Sequence, residues 1–457
     1  MTLEASVDTR PPAAPVNSLL AAPILPTLLK LALPNAIAML GTALVAVAET
    51  SYIGRLGVEP LAGIALVFPF VMLTQMMSAG AMGGGVSSAV ARALGAGNRE
   101  RAANLALHAA IIGSGAGLFF TVMMLAFGRD FYFLLGGRGE VLEQAMYYSQ
   151  VLFSGAVSIW LVNTFASVVR GTGDMRVPSI VLIGVAAVQV VVGGGLGLGL
   201  FGLPKFGMRG VAAGQLLAFT LGALFLAWYL VSGRSRLKLN LRSFAFQRDM
   251  FLDILKVGAV SCLSPLQSVL TILIFTKILA GFGTTVLAGY GMGSRLEFLL
   301  IPIAFAFGTA SIPMVCMAMG AGLVARARRV AWIAGAAAGL FVGLIGLVVA
   351  IAPQLWVSLF TSDPGVTAAA NSYFHWAGPG FGFFGAGVCL YFSSQGATKV
   401  GGPVFAGTVR LVLVALGGWV LSSAGAPAWT LFALVGTAMV VFGLTTALSI
   451  RLTRWEK

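Results

Sequence analysis

From about residue 28 onward, long uninterrupted apolar stretches alternate with short polar segments, many of them basic. The stretches fall at about 28 to 53, 60 to 91, 105 to 127, 145 to 169, 177 to 201, 209 to 232, 251 to 280, 287 to 319, 330 to 352, 368 to 396, 402 to 424 and 428 to 450. Each is long enough for the roughly 20 residues that a helix needs to cross a hydrocarbon core. A membrane β-barrel would instead show segments of about 10 residues alternating apolar and polar, a pattern the chain lacks. The prediction is an all-α polytopic membrane protein with twelve transmembrane helices.

Composition agrees. Of 457 residues, 58% are hydrophobic and 9% are charged, against about 25% charged in an ordinary soluble domain. There is too little polar surface for water. The 60 glycines suit closely packed membrane helices. Cys262, Cys316 and Cys389 lie far apart inside apolar segments, so they read as packing residues rather than a disulfide framework or ligand cluster.

A net charge of +14 could point to nucleic acid, but its distribution points to topology. With the N-terminus inside, 20 of the 28 basic residues fall on the inner side. The outer side holds Arg55, Arg129, Arg138, Lys205, Arg209 and Lys277, and Arg295 and Arg410 lie within spans. Basic residues concentrate on the cytoplasmic side of membrane proteins, so both termini are expected there, and no nucleic-acid partner is needed. Residues 1–27, with five prolines and no basic segment leading into an apolar core, read as a disordered cytoplasmic tail rather than a cleavable signal. Arg outnumbers Lys 21 to 7, which points to a GC-rich bacterial genome and hence a bacterial inner membrane.

The second half repeats the first. Gly95-Ala96-Gly97 with Arg101-Ala102 recurs as Gly320-Ala321-Gly322 with Arg326-Ala327, and Gly171 with Pro178 recurs as Gly396 with Pro403, all at an offset of 225. Leu61-Ala62-Gly63 and Leu287-Ala288-Gly289 match at 226. An even number of spans per half makes the halves parallel, related by an axis along the membrane normal. Two parallel six-helix lobes are expected, at 28–232 and 251–457, joined by a cytoplasmic linker at 233–250.

No catalytic constellation is present: His108 and His375 stand alone, and there is no Walker-type loop or zinc spacing. An enzyme is not expected and no cofactor is implied. Glu49 and Glu297 are the two acidic residues placed inside spans, and an acid at membrane depth marks an ion or substrate site by default. Glu49 is the candidate ion-coupling residue. The 19 residues from Lys30 to Glu49 span about 28 Å of helix, so an ordinary interfacial carboxylate is also allowed. Pro34 supplies a bending point in the same helix. Arg295 and Glu297, two apart, point to different sides of the eighth span and need separate partners or a watery cavity. Asn163 and Gln189 complete a candidate polar network. The runs Gly83-Gly84-Gly85 and Gly193-Gly194-Gly195 permit close helix approach or local unwinding.

These residues resemble the multidrug and toxic compound extrusion family. Pro34 is followed by Glu49-Thr50, Gly54-Arg55-Leu56-Gly57 and Leu61-Ala62-Gly63; Gly95-Ala96-Gly97-Asn98 and Arg170-Gly171-Thr172-Gly173-Asp174 complete the pattern. The resemblance implies that Pro34 is the bending point of the first helix and that Glu49 stands at the family's ion-coupling aspartate. Gln189 and Gly193 stand where some members carry asparagine and aspartate, and Phe384 where others carry an aspartate, so that cluster has lost acids. A lone carboxylate suffices for a proton, whereas Na+ at Glu49 would want more oxygen ligands. The expected function is antiport of amphipathic, cationic organic compounds against protons by alternating access, with the protein acting as a monomer. A lipid-linked precursor flippase and a passive channel are the alternatives.

Overall fold

The computed structural model describes residues 18–200, 202–239 and 245–455. Residues 1–17 of the expected tail and 240–244 of the expected linker lie outside the described residues. The spans are α1 (Ile24–Gly54), α2 (Val58–Gly95), α3 (Arg99–Leu134), α4 (Gly139–Ser154 continued by Ala156–Gly171), α5 (Arg176–Leu198) and α6 (Gly207–Val231). The second set is α7 (Arg248–Ala280), α8 (Thr284–Gly320), α9 (Val324–Ile351), α10 (Pro364–Ala377 continued by Phe381–Gly396), α11 (Gly401–Ser423) and α12 (Ala428–Leu452).

Among the described residues, ten helices are long and apolar enough to cross a membrane unbroken, and α4, bent by 51° at Gly155, makes an eleventh. The twelfth, α10, is interrupted by a 3-10 turn at Gly378–Gly380 that divides it into parts of 14 and 16 residues. Local chemistry sets the helix ends: Asn98 accepts from the Arg101 N–H at 2.8 Å to start α3, and Asp363 accepts from the Val366 N–H at 2.8 Å to start α10.

One expectation changes. The tail is helical earlier than residue 28: α1 begins at Ile24, and a turn at Ser18–Ala21 precedes it. Arg326 Nη2 donates to the carbonyls of Leu19 (3.0 Å) and Ala22 (2.6 Å), docking this segment on α9. The linker also packs, since Leu237 and Leu239 are buried and His108 Nε2 accepts from the Gln247 N–H at 2.8 Å. With Nδ1 at 2.7 Å from the Asn104 carbonyl, His108 acts as a neutral structural imidazole. The helix α1 runs through Pro34 as one element, and the neighbouring Asn35 is anchored, its Nδ2 donating to Thr309 Oγ1 of α8 at 2.6 Å.

The repeat is visible in backbone conformation. Gly97 and Gly322 end α2 and α8 with φ of 76° and 75°. Gly63 on α2 and Gly289 on α8 lie against Ala145 and Ala370 of α4 and α10, so closely that a Cβ would stand 2.9 and 2.8 Å from their backbone nitrogens. Gly173 has φ of 85°, and its counterpart Thr398 has φ of 60°, the one positive φ among the described non-glycine residues.

The lobes meet along one end. There α8 crosses the Gly83–Gly95 part of α2, where a side chain at Gly95 would strike Met317 and one at Gly320 would strike Arg92. The same end holds ion pairs from Arg92 to Asp253 (2.8 Å) and from Arg101 to Asp249 (3.2 Å). We call this the basic end. Towards the far end, α2 and α8 turn to α4 and α10 within their own lobes.

A β-branched residue in the left-handed region costs about 1 to 2 kcal/mol, partly offset in a Gly variant by greater unfolded-state freedom. Thr398→Gly should therefore raise the melting temperature of the purified protein; an unchanged or lower value would show that the turn is not strained.

Candidate functional site: two carboxylate clusters

In the N-terminal lobe, α1 carries Glu49 about 8 Å from its far end at 1.5 Å per residue. The sequence allowed an interfacial carboxylate at this depth, but the side chain is half-buried and turned into its own lobe. The Tyr148 hydroxyl of α4 reaches Glu49 Oε1 at 2.7 Å, and Gln189 Nε2 of α5 donates to Oε2 at 3.3 Å. Tyr148 is also 2.5 Å from Gln215 Oε1 of α6. Four helices thus converge on one carboxylate.

The proton count in this cluster is informative. A phenol has one hydrogen, yet the Tyr148 oxygen stands at hydrogen-bond distance from two acceptor oxygens, Glu49 Oε1 and Gln215 Oε1. With the amide so placed, a proton on Glu49 completes the network, donating to the tyrosine while the tyrosine donates to Gln215.

Gly193 stands where the family resemblance places an aspartate. The buried Tyr52 ring packs there instead, its hydroxyl 3.3 Å from where a Cβ at 193 would be, and this hydroxyl has no partner among the described residues. Gly193 also lets Gly214 of α6 approach its backbone, so the glycine run serves helix packing.

Asn163 and Gln189 do not share a network. Asn163 Nδ2 donates to Gln75 Oε1 (2.9 Å) and Ser78 Oγ (2.8 Å), bracing the π-helical turn Met76–Met82 of α2 just before Gly83-Gly84-Gly85. Widened turns of this kind recur at functional sites.

In the C-terminal lobe, Glu297 of α8 accepts from the Tyr373 hydroxyl of α10. Arg410 of α11 acts on Glu297 electrostatically, and its guanidinium lies over the Phe384 ring at 4.8 Å. Arg295 points elsewhere as expected: it is exposed, with its guanidinium 5.3 Å from the Phe360 ring centre. Tyr373 is the repeat counterpart of Tyr148, at an offset of 225. Each lobe therefore holds a tyrosine at one equivalent place donating to a glutamate, although the glutamates come from α1 and α8, which are not counterparts. Sequence reasoning missed Tyr52, Tyr148, Gln215 and Tyr373; laying the halves on each other at 225 would have exposed the tyrosine pair.

Two like lobes of six helices, each with a hydrogen-bonded intramembrane acid, are the arrangement of a duplicated membrane transporter. The MatE profile matches residues 34–193 and 261–420, once in each half, and the chain belongs to this family of transporters. The FAD transporter of Shewanella oneidensis is 27% identical over 369 residues, 78% of this chain and 79% of that one. The probable multidrug resistance protein NorM of Thermotoga maritima is 27% identical over 341 residues, 74% of this chain and 72% of that one. A solved MOP superfamily transporter from Pyrococcus furiosus superposes with a TM-score of 0.88 at 24% identity, over 95% of this chain and 97% of that one.

Removing the Tyr148 hydroxyl leaves Glu49 and Gln215 short of a partner, a loss of about 1 to 3 kcal/mol. Tyr148→Phe should lower the melting temperature of the purified protein, and an unchanged value would mean that the hydroxyl does not bridge these groups.

Proposed function

We propose that this chain is a secondary antiporter that exports amphipathic organic compounds, cationic ones foremost, in exchange for protons taken up at Glu49. The observation that carries this reading is the inward-turned Glu49, reached by the Tyr148 hydroxyl and the Gln189 amide inside its own lobe. Relatives named as multidrug resistance proteins support an organic cargo. A proton entering from the far, outer side neutralises Glu49, and cargo entering from the basic, cytoplasmic side displaces it as the lobes rock about the α2–α8 crossing. Cargo and proton need to favour different lobe arrangements by a few kcal/mol for exchange to run. Protons are favoured over Na+ because Glu49 is a single carboxylate whose side-chain neighbours are neutral. This reading places the protein in a bacterial inner membrane with both termini cytoplasmic, working as a monomer.

A second reading is supported by Arg410, a cation inside the C-terminal lobe, and by the FAD transporter among the relatives: the cargo carries an aromatic body and an anionic group. The flippase alternative has less behind it, since Arg295 is exposed and leaves Arg410 alone to meet a large anionic headgroup.

Glu49→Gln tests the first reading in sealed vesicles, with pH and Na+ gradients imposed separately. The neutral amide should abolish proton-driven accumulation of a cationic dye while the protein elutes from size exclusion as the wild type does. Wild-type accumulation by the variant would remove Glu49 from the coupling step, and accumulation driven by Na+ alone would replace the proton.

A further inference from the structure

Arg410 is the second ionisable group in the C-terminal lobe, and its position is unusual for a guanidinium at membrane depth. It lies about 20 Å from the far end of α11, the same depth at which α8 carries Glu297. Among the described residues it makes no hydrogen bond and no ion pair within 4.0 Å. Instead it rests against aromatic faces, 4.8 Å from the centre of Phe384 and 6.0 Å from that of Phe442. Its five N–H donors are thus free while its carbon framework is held by rings. Glu297, the nearest counter-charge named by its electrostatics, is engaged by Tyr373 rather than by Arg410. Glu297, Leu300, Ala304, Val342, Phe381 and Phe384 line a narrow crevice at this point.

Intramembrane ionisable groups are costly unless they serve a ligand or a partner. A guanidinium positioned by stacking, with its donors unspent, suits a bidentate anion. We propose that the C-terminal lobe contains an anion-binding subsite in which Arg410 takes the carboxylate or phosphate of an amphipathic aromatic molecule and Glu297 acts as the competing counter-charge. The proposal rests on the reading of the chain as a carrier of organic cargo and specifies one end of that cargo. It assigns different tasks to the lobes: the N-terminal lobe holds the exchanging proton, and the C-terminal lobe reads the sign of the ligand.

The test is equilibrium binding to the purified full-length protein, followed by flavin fluorescence, with riboflavin and riboflavin 5′-phosphate as probes that share a ring system and differ by one phosphate. The phosphate ester should bind about tenfold or more tightly than riboflavin, the scale expected of a charge-assisted bidentate contact. Arg410→Gln should erase that preference, and Glu297→Gln, which removes the repelling charge, should widen it. Equal affinity of the wild type for both probes would overturn the proposal, as would a persistent preference in Arg410→Gln. A merely structural role for the pair predicts that both variants weaken binding alike, so the opposite signs separate it from a binding role. Should Arg410→Gln fail to fold, Arg410→Lys and Glu297→Gln still decide, because the lysine keeps the charge and part of the preference. Binding needs no gradient, so a chain that binds the phosphate ester yet shows no proton-driven export would refute the transport reading and leave the subsite standing.

Discussion

A charged group inside a bilayer has no water to solvate it, and the protein itself must supply every partner. Glu49 shows what this demands: side chains from α4 and α5 reach its two oxygens, and α6 joins through Tyr148. The arrangement of the whole N-terminal lobe follows from that need. Gly193 and Gly214 bring α5 and α6 close, and Gly63 brings α2 onto α4, so the polar ends of Tyr148, Gln189 and Gln215 arrive at one point. A site assembled from four helices cannot change one helix alone without unmaking a hydrogen bond. A change at Glu49 therefore bears on the packing of the whole lobe.

The contacts between lobes are of a different kind. Where α2 crosses α8 the interface is backbone against backbone at Gly95 and Gly320, flanked by half-exposed ion pairs between Arg92, Arg101, Asp249 and Asp253. Exposed pairs of this sort are worth about 1 kcal/mol or less each. Across the same seam Asn35 of α1 adds a buried hydrogen bond to Thr309 of α8, and Arg326 of α9 holds the carbonyls of Leu19 and Ala22, so the lobes are tied together at the basic end.

Much of this was legible in the sequence because the bilayer imposes it. Span positions, the all-α class, the two parallel halves and the prominence of Glu49 and Glu297 follow from rules that act residue by residue on hydrophobicity and charge. What stayed hidden depends on three-dimensional neighbours. Tyr148 and Tyr373 look like ordinary aromatic residues in apolar helices, and no property of their own stretches says that each donates to an acid. Pro34 was read as a bending point because proline removes a hydrogen bond wherever it stands, but nothing in that stretch says that its neighbour Asn35 is held by Thr309 of another helix. Residues 18–27 looked like tail because proline and small residues give no helical period, while the carbonyls that Arg326 captures leave no trace in side-chain chemistry.

The two tyrosines also bear on how a duplicated fold comes to treat its halves differently. Duplication gave each lobe a hydroxyl at the same place, but α1 supplies the acid in one lobe and α8 in the other. The counterpart of Glu49 in the second half is Ile274, and that of Glu297 in the first is Met72. Glu297 lies within electrostatic reach of Arg410, whereas the side chains that reach Glu49 are neutral phenol and amide groups. The pseudo-symmetric scaffold thus surrounds its two acids with different partners, and an exchanger in which two ligands favour different arrangements of the same lobes needs such an inequality.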